Sequence, residues 1–229
     1  MKKFIVIALA LILVSGMAFA DPEKTEDYIG FNVGAGYNRD QFAPGPGQTR
    51  VDSGYQLGLS INDYTFLDSG APVGIYMEAG LLINLDNTTT INDVVATNIE
   101  PPVILFDVVL GPGFRFEAGR GMGLLMSAGM DLSYIDEVYR YSDPTYGYIE
   151  FTRSSMKLGL AATAELKFNL GRKFFVTFGA KGTVNFLSWI LNEKSTYAGW
   201  HEWHESHTDS IDDYFGFRVM PRISAYYTY

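Results

Sequence analysis

The 229-residue chain contains no cysteine. Disulfide staples, thiol catalysis, thiolate metal sites and a lipid-modified N-terminal cysteine are thereby excluded. Basic charge is scarce: 17 Lys and Arg stand against 26 Asp and Glu, for a formal net charge of −9. An acidic chain is a poor match for a phosphate backbone, so nucleic acid is not expected as a partner. After the opening stretch Phe4 to Val14, no second long apolar run occurs. Nucleotide-cradling loops are missing too, because the glycine-rich stretches near Gly34 and Gly121 have no strand–loop–helix context.

The opening run has Lys2 and Lys3 before it and Ala18-Phe19-Ala20 after it, the layout of a secretory signal peptide cleaved before Asp21. It is short for a membrane-spanning helix. Residues 1–20 are therefore expected to be removed on export. Losing Lys2 and Lys3 takes the charge from −9 to −11 and leaves 21–229 as one domain.

What the chain has in abundance is glycine and aromatic residues, with 24 Gly, 15 Tyr and 16 Phe. Its C-terminal stretch sets the pattern. Phe215, Phe217, Val219, Ile223, Ala225, Tyr227 and Tyr229 fall on one parity, with Gly216, Arg218, Arg222, Ser224 and Thr228 on the other. A period of two marks a strand with one apolar and one polar face. Seven earlier segments repeat it, near 29–37, 54–62, 73–84, 103–116, 123–134, 156–168 and 176–186, the fourth less cleanly because Val103, Leu105 and Val109 share a face with Asp107, Gly111 and Arg115. Loops are expected at 39–50, 86–102, 136–153 and 187–213, alternating with shorter connections. Pro112 and Pro221 lie inside strands, where a missing ladder hydrogen bond predicts local bulges. The expected fold is all-β: an eight-stranded antiparallel up-and-down β-barrel.

Glycine decides which face looks out. An eight-stranded barrel leaves barely enough room inside for side chains. Gly30, Gly34, Gly54, Gly58, Gly80, Gly129, Gly159 and Gly179 all share the polar parity, so that parity is the lumen. The bulky apolar residues then face lipid, which makes the barrel transmembrane. Aromatic residues gather at strand ends, as they do at membrane interfaces: Tyr37, Tyr134, Phe186 and Phe215 at one end, Phe116, Phe168, Phe174, Tyr227 and Tyr229 at the other. In this pattern the chain resembles the small eight-stranded outer-membrane barrels, the group of the OmpA transmembrane domain, OmpX and OmpW. The resemblance implies residence in the bacterial outer membrane, reached through the periplasm. It also implies that Tyr227 and Tyr229 form the aromatic C-terminal signal read by the barrel-assembly machinery.

The lumen parity carries Glu78, Asp107, Asp131 and Glu165 with Arg115, Lys157, Lys167, Lys181, Arg218 and Arg222. Charges in so narrow a space must be paired, because an isolated buried ion is very costly. An ion-pair network filling the lumen is the plainer reading, and a narrow anion-preferring pore the functional one, since bases outnumber acids. Leu82, Leu105, Val109, Leu125 and Ile135 share the inward parity and would line a path for apolar solutes.

All three histidines, His201, His204 and His207, sit in the last loop at a spacing that would bind zinc or copper if the loop made a helical turn. His204 or His207 with Ser206 and Asp209 offers residue types used by lipid-modifying barrels, without a partner held on a strand. No cofactor is expected. The leading expectation is a non-enzymatic outer-membrane barrel whose four long loops contact extracellular ligands. The alternatives are a narrow channel for small or apolar solutes and, behind it, a lipid-modifying enzyme.

Overall fold

The computed structural model describes residues 26–43, 47–67, 70–86, 88–96, 104–119, 121–143, 147–198, 201–211 and 213–229. For 96, 136–143, 147–153, 190–198 and 201–211 only the backbone is described. The expected signal segment, 1–20, lies outside the described residues.

Eleven strands are described: β1 (Glu26–Phe42), β2 (Arg50–Phe66), β3 (Val73–Asn84), β4 (Thr88–Ile91), β5 (Val94–Ala96), β6 (Ile104–Gly119), β7 (Met122–Asp143), β8 (Gly147–Asn169), β9 (Phe174–Ala198), β10 (His201–Ile211) and β11 (Phe215–Thr228). Eight of them, β1, β2, β3, β6, β7, β8, β9 and β11, form a closed antiparallel barrel. Neighbours in sequence are neighbours in space, and β11 closes onto β1 from Tyr28↔Thr228 to Gln41↔Phe215. The hairpin β4–β5 extends the sheet from β2, and β10 extends it from β9. Asn92 and Asp93, at φ 49° and 65°, make the tight turn between β4 and β5.

Burial alternates as the sequence pattern requires. In β2, Gln56, Ser60 and Asn62 are buried, while Tyr55, Leu57, Leu59 and Ile61 are 43–61 % exposed. The same holds around the ring for Phe31, Leu110, Met130, Leu160, Phe178 and Ile223. A continuous apolar belt of this extent is far larger than the patches of soluble monomers, and it is the surface that meets hydrocarbon. The inward glycines make room for specific side chains. A Cβ at Gly80 would strike Asp107 Oδ1, and one at Gly30 would strike Asn62 and Tyr226.

The two prolines create no bulge. Pro112 pairs with Ile75 and Pro221 with Ala180. On their other sides the bridge pairs lapse and then resume in the same register, Leu110↔Met130 to Gly113↔Ser127 and Gly34↔Arg222 to Tyr37↔Val219. Each proline costs a ladder bond without inserting a residue. The register shifts lie elsewhere, between Glu117 and Gly119 and between Leu158 and Gly159. At the second, Phe186 and Leu187 of β9 are both outward and exposed, so parity reverses and Ser188 turns inward.

β7, β8 and β9 are 22, 23 and 25 residues long, whereas spanning a bilayer takes about 9–11. Pairing of β6 with β7 stops at Ile104↔Asp136, yet β7–β8 continues to Asp143↔Gly147 and β9–β10 to Ala198↔His201. A four-stranded sheet therefore rises roughly 25 Å above one rim, at about 3.3 Å per residue. Most of 136–153 and 187–213, expected as loops, is strand. Their sequences are rich in charged and hydroxyl residues and poor in aliphatic ones, and pairing propagated from the barrel strands carries them. The opposite rim holds the short connections 67–72, 120–121 and 170–173.

Candidate functional site

The lumen is built in layers. At the short-turn end, Tyr28, Tyr64, Phe66, Tyr76, Phe175 and Tyr226 form an aromatic plug, each 3 % exposed or less. Phe175 stacks on Tyr226 with centroids 4.7 Å apart, and Tyr64 packs on Tyr76 at 4.6 Å. Two cations close its lower face: Arg115 lies 4.3 Å from the Phe66 ring centre and Lys167 4.7 Å from that of Phe175. Phenol groups face the next layer. Tyr226 Oη donates to Glu165 Oε2 (2.9 Å), and Tyr76 Oη donates to Glu78.

The ten predicted lumen residues are all 6 % exposed or less. Glu78, Asp107, Asp131, Glu165, Lys181, Arg218 and Arg222 are brought together in one network. Lys181 Nζ donates to Glu78 Oε1 (2.8 Å) and Asp107 Oδ2 (2.7 Å). Arg222 bridges Glu78 (2.6 Å) and Glu165, while Arg218 bridges Asp107 (3.1 Å) and Asp131 (3.6 Å). The alternation of sign lets each ion replace its lost hydration with opposite charge. Arg115, Lys157 and Lys167 stand apart from it and pair with carboxylates outside the predicted set: Glu26 (2.6 Å), Asp40 and Glu117 (2.6 Å).

Those three acids remove the excess of lumen bases on which an anion preference was based. Asp40 fell in the expected loop 39–50, and Glu26 and Glu117 lay just outside the strands expected near 29–37 and 103–116. Yet Glu26 and Asp40 continue the inward parity of Gly30 and Asn38, and Glu117 that of Arg115. Extending the alternation past the apolar residues would have found them.

Above the network, Leu82, Leu105, Ile135 and Met220 form a second apolar cluster, all 5 % exposed or less. Val109 and Leu125, the other residues expected to line a solute path, are buried against the aromatic plug. A cavity of about 10 Å³, between Asn32, Ser60, Gly80, Asp107 and Arg222, has room for one water molecule. At the upper mouth, Tyr214 Oη donates to Asp40 Oδ1 (2.6 Å) and Gln56 Nε2 to Asn84 Oδ1 (2.5 Å).

Residues 6–204 match the model of a family described as outer membrane protein beta-barrel domain. The chain belongs to that family. Its site of residence is accordingly the bacterial outer membrane, with the long-strand rim extracellular and the short turns periplasmic. A major outer membrane protein from Thermus thermophilus is similar in structure, with a TM-score of 0.57 and 11% identity over 89% of this chain and 99% of that one. Neisserial surface protein A aligns at a TM-score of 0.48 and 9% identity, over 86% and 95% of the two chains. Ail, the attachment invasion locus protein of Yersinia pestis, aligns at 0.43 and 14% over 90% and 99%. Such identities speak to the fold alone. No curated protein matches the chain in sequence.

Within this family frame, Tyr227 and Tyr229 lie at the periplasmic rim on the lipid-facing parity, 37 % and 51 % exposed. Tyr229 N donates to Asp27 O (3.3 Å), tying the chain's last residue to β1. Burial, then the nearby Asp63 and Asp27, push its phenol up to about 12. His201, His204 and His207 lie on β10, whose side chains are outside the described residues. Their backbone is extended and paired with β9, not the helical turn that the metal reading requires. On a strand, positions three apart fall on opposite faces.

Proposed function

We propose that this outer-membrane barrel is a non-enzymatic surface protein: a closed barrel that anchors an extracellular sheet and loops for contact with ligands outside the cell. The observation that supports it is the filled lumen, with an aromatic plug, an ion network and an apolar layer stacked along its axis. A channel for small or apolar solutes needs a path. The residues that would line one, Leu82, Leu105, Val109, Leu125 and Ile135, instead pack the interior. Strands far longer than a membrane crossing point the same way, because the added length serves only the extracellular end. In this reading the barrel-assembly machinery recognises Tyr227 and Tyr229, and membrane lipid surrounds the belt. Planar-bilayer recordings of the refolded protein test it. A silent bilayer is expected, and steady single-channel conductance would refute the closed-barrel reading.

A further inference from the structure

We infer that the lumen side of the extracellular sheet docks a cationic polypeptide segment, an inference that rests on the surface-protein reading above. Register fixes which positions share a side. Tyr141, Ile149, Thr196 and Trp203 form one row across β7, β8, β9 and β10, and Tyr139, Phe151, Lys194 and Glu205 form another. Both rows have the parity of Ile135 and Ser155, which are buried on the lumen side. The other side carries Arg140, Glu150, Ser195 and His204 in one row and Ser142, Tyr148, Tyr197 and Glu202 in the next.

Above the membrane the other side keeps Val138, Tyr148, Leu191 and Tyr197, and the larger share of the apolar residues falls on the lumen side. Above a polar row of Glu137, Arg153, Asn192 and His207, the lumen side holds Tyr139, Tyr141, Ile149, Phe151 and Trp203. Hydrocarbon cannot be the reason for this placement, since the lipid-facing parity is the opposite one. Aromatic residues grouped in register on one side of a sheet beyond the membrane suit contact with a partner.

Charge selects the partner. Every base on the sheet stands across from a carboxylate in the next strand: Arg140 opposite Glu150, Arg153 opposite Glu137 and Lys194 opposite Glu205. Asp136, Asp143, Glu193, Glu202 and Asp209 have no base opposite them in register. Asp143 and Asp209 lie on the aromatic side, one at its tip and one at its foot. Aromatic faces together with surplus carboxylates favour ammonium and guanidinium groups. A second copy of this acidic chain would be repelled.

The test uses the full mature chain in lipid nanodiscs and a labelled synthetic peptide of alternating Arg and Leu, followed by fluorescence anisotropy. Binding that weakens with salt is expected, about tenfold weaker for Tyr141→Ser with Trp203→Ser and unchanged for Tyr148→Ser with Tyr197→Ser on the other side. Asp143→Asn with Asp209→Asn, which leaves the aromatic side intact, should remove most of the salt dependence. Equal losses from both tyrosine-bearing pairs, salt-independent binding, or preference for a Glu-for-Arg peptide or a neutral glucan would each overturn the inference. Absence of peptide binding with a silent bilayer overturns this inference alone, whereas conductance overturns the reading beneath it.

Discussion

Replacing Lys181 by Met tests whether the ion network holds the barrel together. Lys181 is 2 % exposed, and its ammonium lies within 2.8 Å of both Glu78 and Asp107. Removing one partner from a buried ion pair costs about 3–5 kcal/mol, because the other charge stays buried. Here Arg222 remains 2.6 Å from Glu78 and Arg218 3.1 Å from Asp107, which places the loss near the lower end, about 3 kcal/mol. The assay is urea unfolding of protein refolded into lipid vesicles, read by tryptophan fluorescence and by the difference between boiled and unboiled samples on a gel. With a slope of about 2 kcal/mol per molar urea, the midpoint should fall by about 1.5 M. Adding Asp107→Asn removes the negative charge that Lys181 no longer balances and should recover part of the loss. A single variant within about 0.3 M of the parent would refute the reasoning. The network would then be filler, and the remaining arginines sufficient.

Gly80→Val should destabilise by about 1–3 kcal/mol, since its Cβ meets Asp107 Oδ1, while Gly182→Val, which has open space beside it, should stay within about 0.5 kcal/mol. Equal midpoints for the two in the same urea titration would contradict the assignment of the lumen side. Leu160→Arg, on the exposed belt of β8, should cost about 2–4 kcal/mol in vesicles, whereas Leu170→Arg in the periplasmic turn should cost about 0–1 kcal/mol. A reversed order would mean that the belt does not lie in hydrocarbon. The Tyr229 phenol, raised to about 12, favours its neutral form when folded. Its contribution is complete below the ordinary value near 10 and disappears as pH climbs through 12. A difference titration of phenolate absorbance between the parent and Tyr229→Phe should show one late-titrating group, and a midpoint near 10 would refute the rim contact.

The barrel was legible because two faces with incompatible demands alternate along the same strands. Gly58 and Gly80 had to be inward for lack of space, and Leu59 and Leu81 then had to be outward. What was missed lies where that contrast fades. Glu26 and Asp40 continue the lumen parity past the last apolar neighbour, so nothing in the local pattern separates them from a loop. The projecting parts of β7 to β10 are strands because barrel strands hand them their partners, a non-local cause that composition does not register. The prolines misled in the other direction. A missing donor was read as an inserted residue, whereas at Pro112 and Pro221 the register runs through unchanged.

A lumen filled with paired charge and stacked aromatics has consequences at the other end of the molecule. Each of the six bases predicted for the lumen already has a carboxylate in reach, so little field remains to select an ion. Opening a path would require breaking pairs whose charges have nowhere to be rehydrated except the path itself. The rigidity that closes the barrel also fixes the register of its longest strands. Register in turn decides that Tyr141 and Trp203, far apart in sequence, occupy one row. The extracellular sheet therefore inherits its sidedness from the membrane part. A one-residue slip anywhere in β8 would exchange its aromatic and polar sides together with the lipid and lumen faces below. Selection on the barrel for membrane insertion and selection on the sheet for contact thus act on the same register, which ties the docking side to a correctly closed barrel.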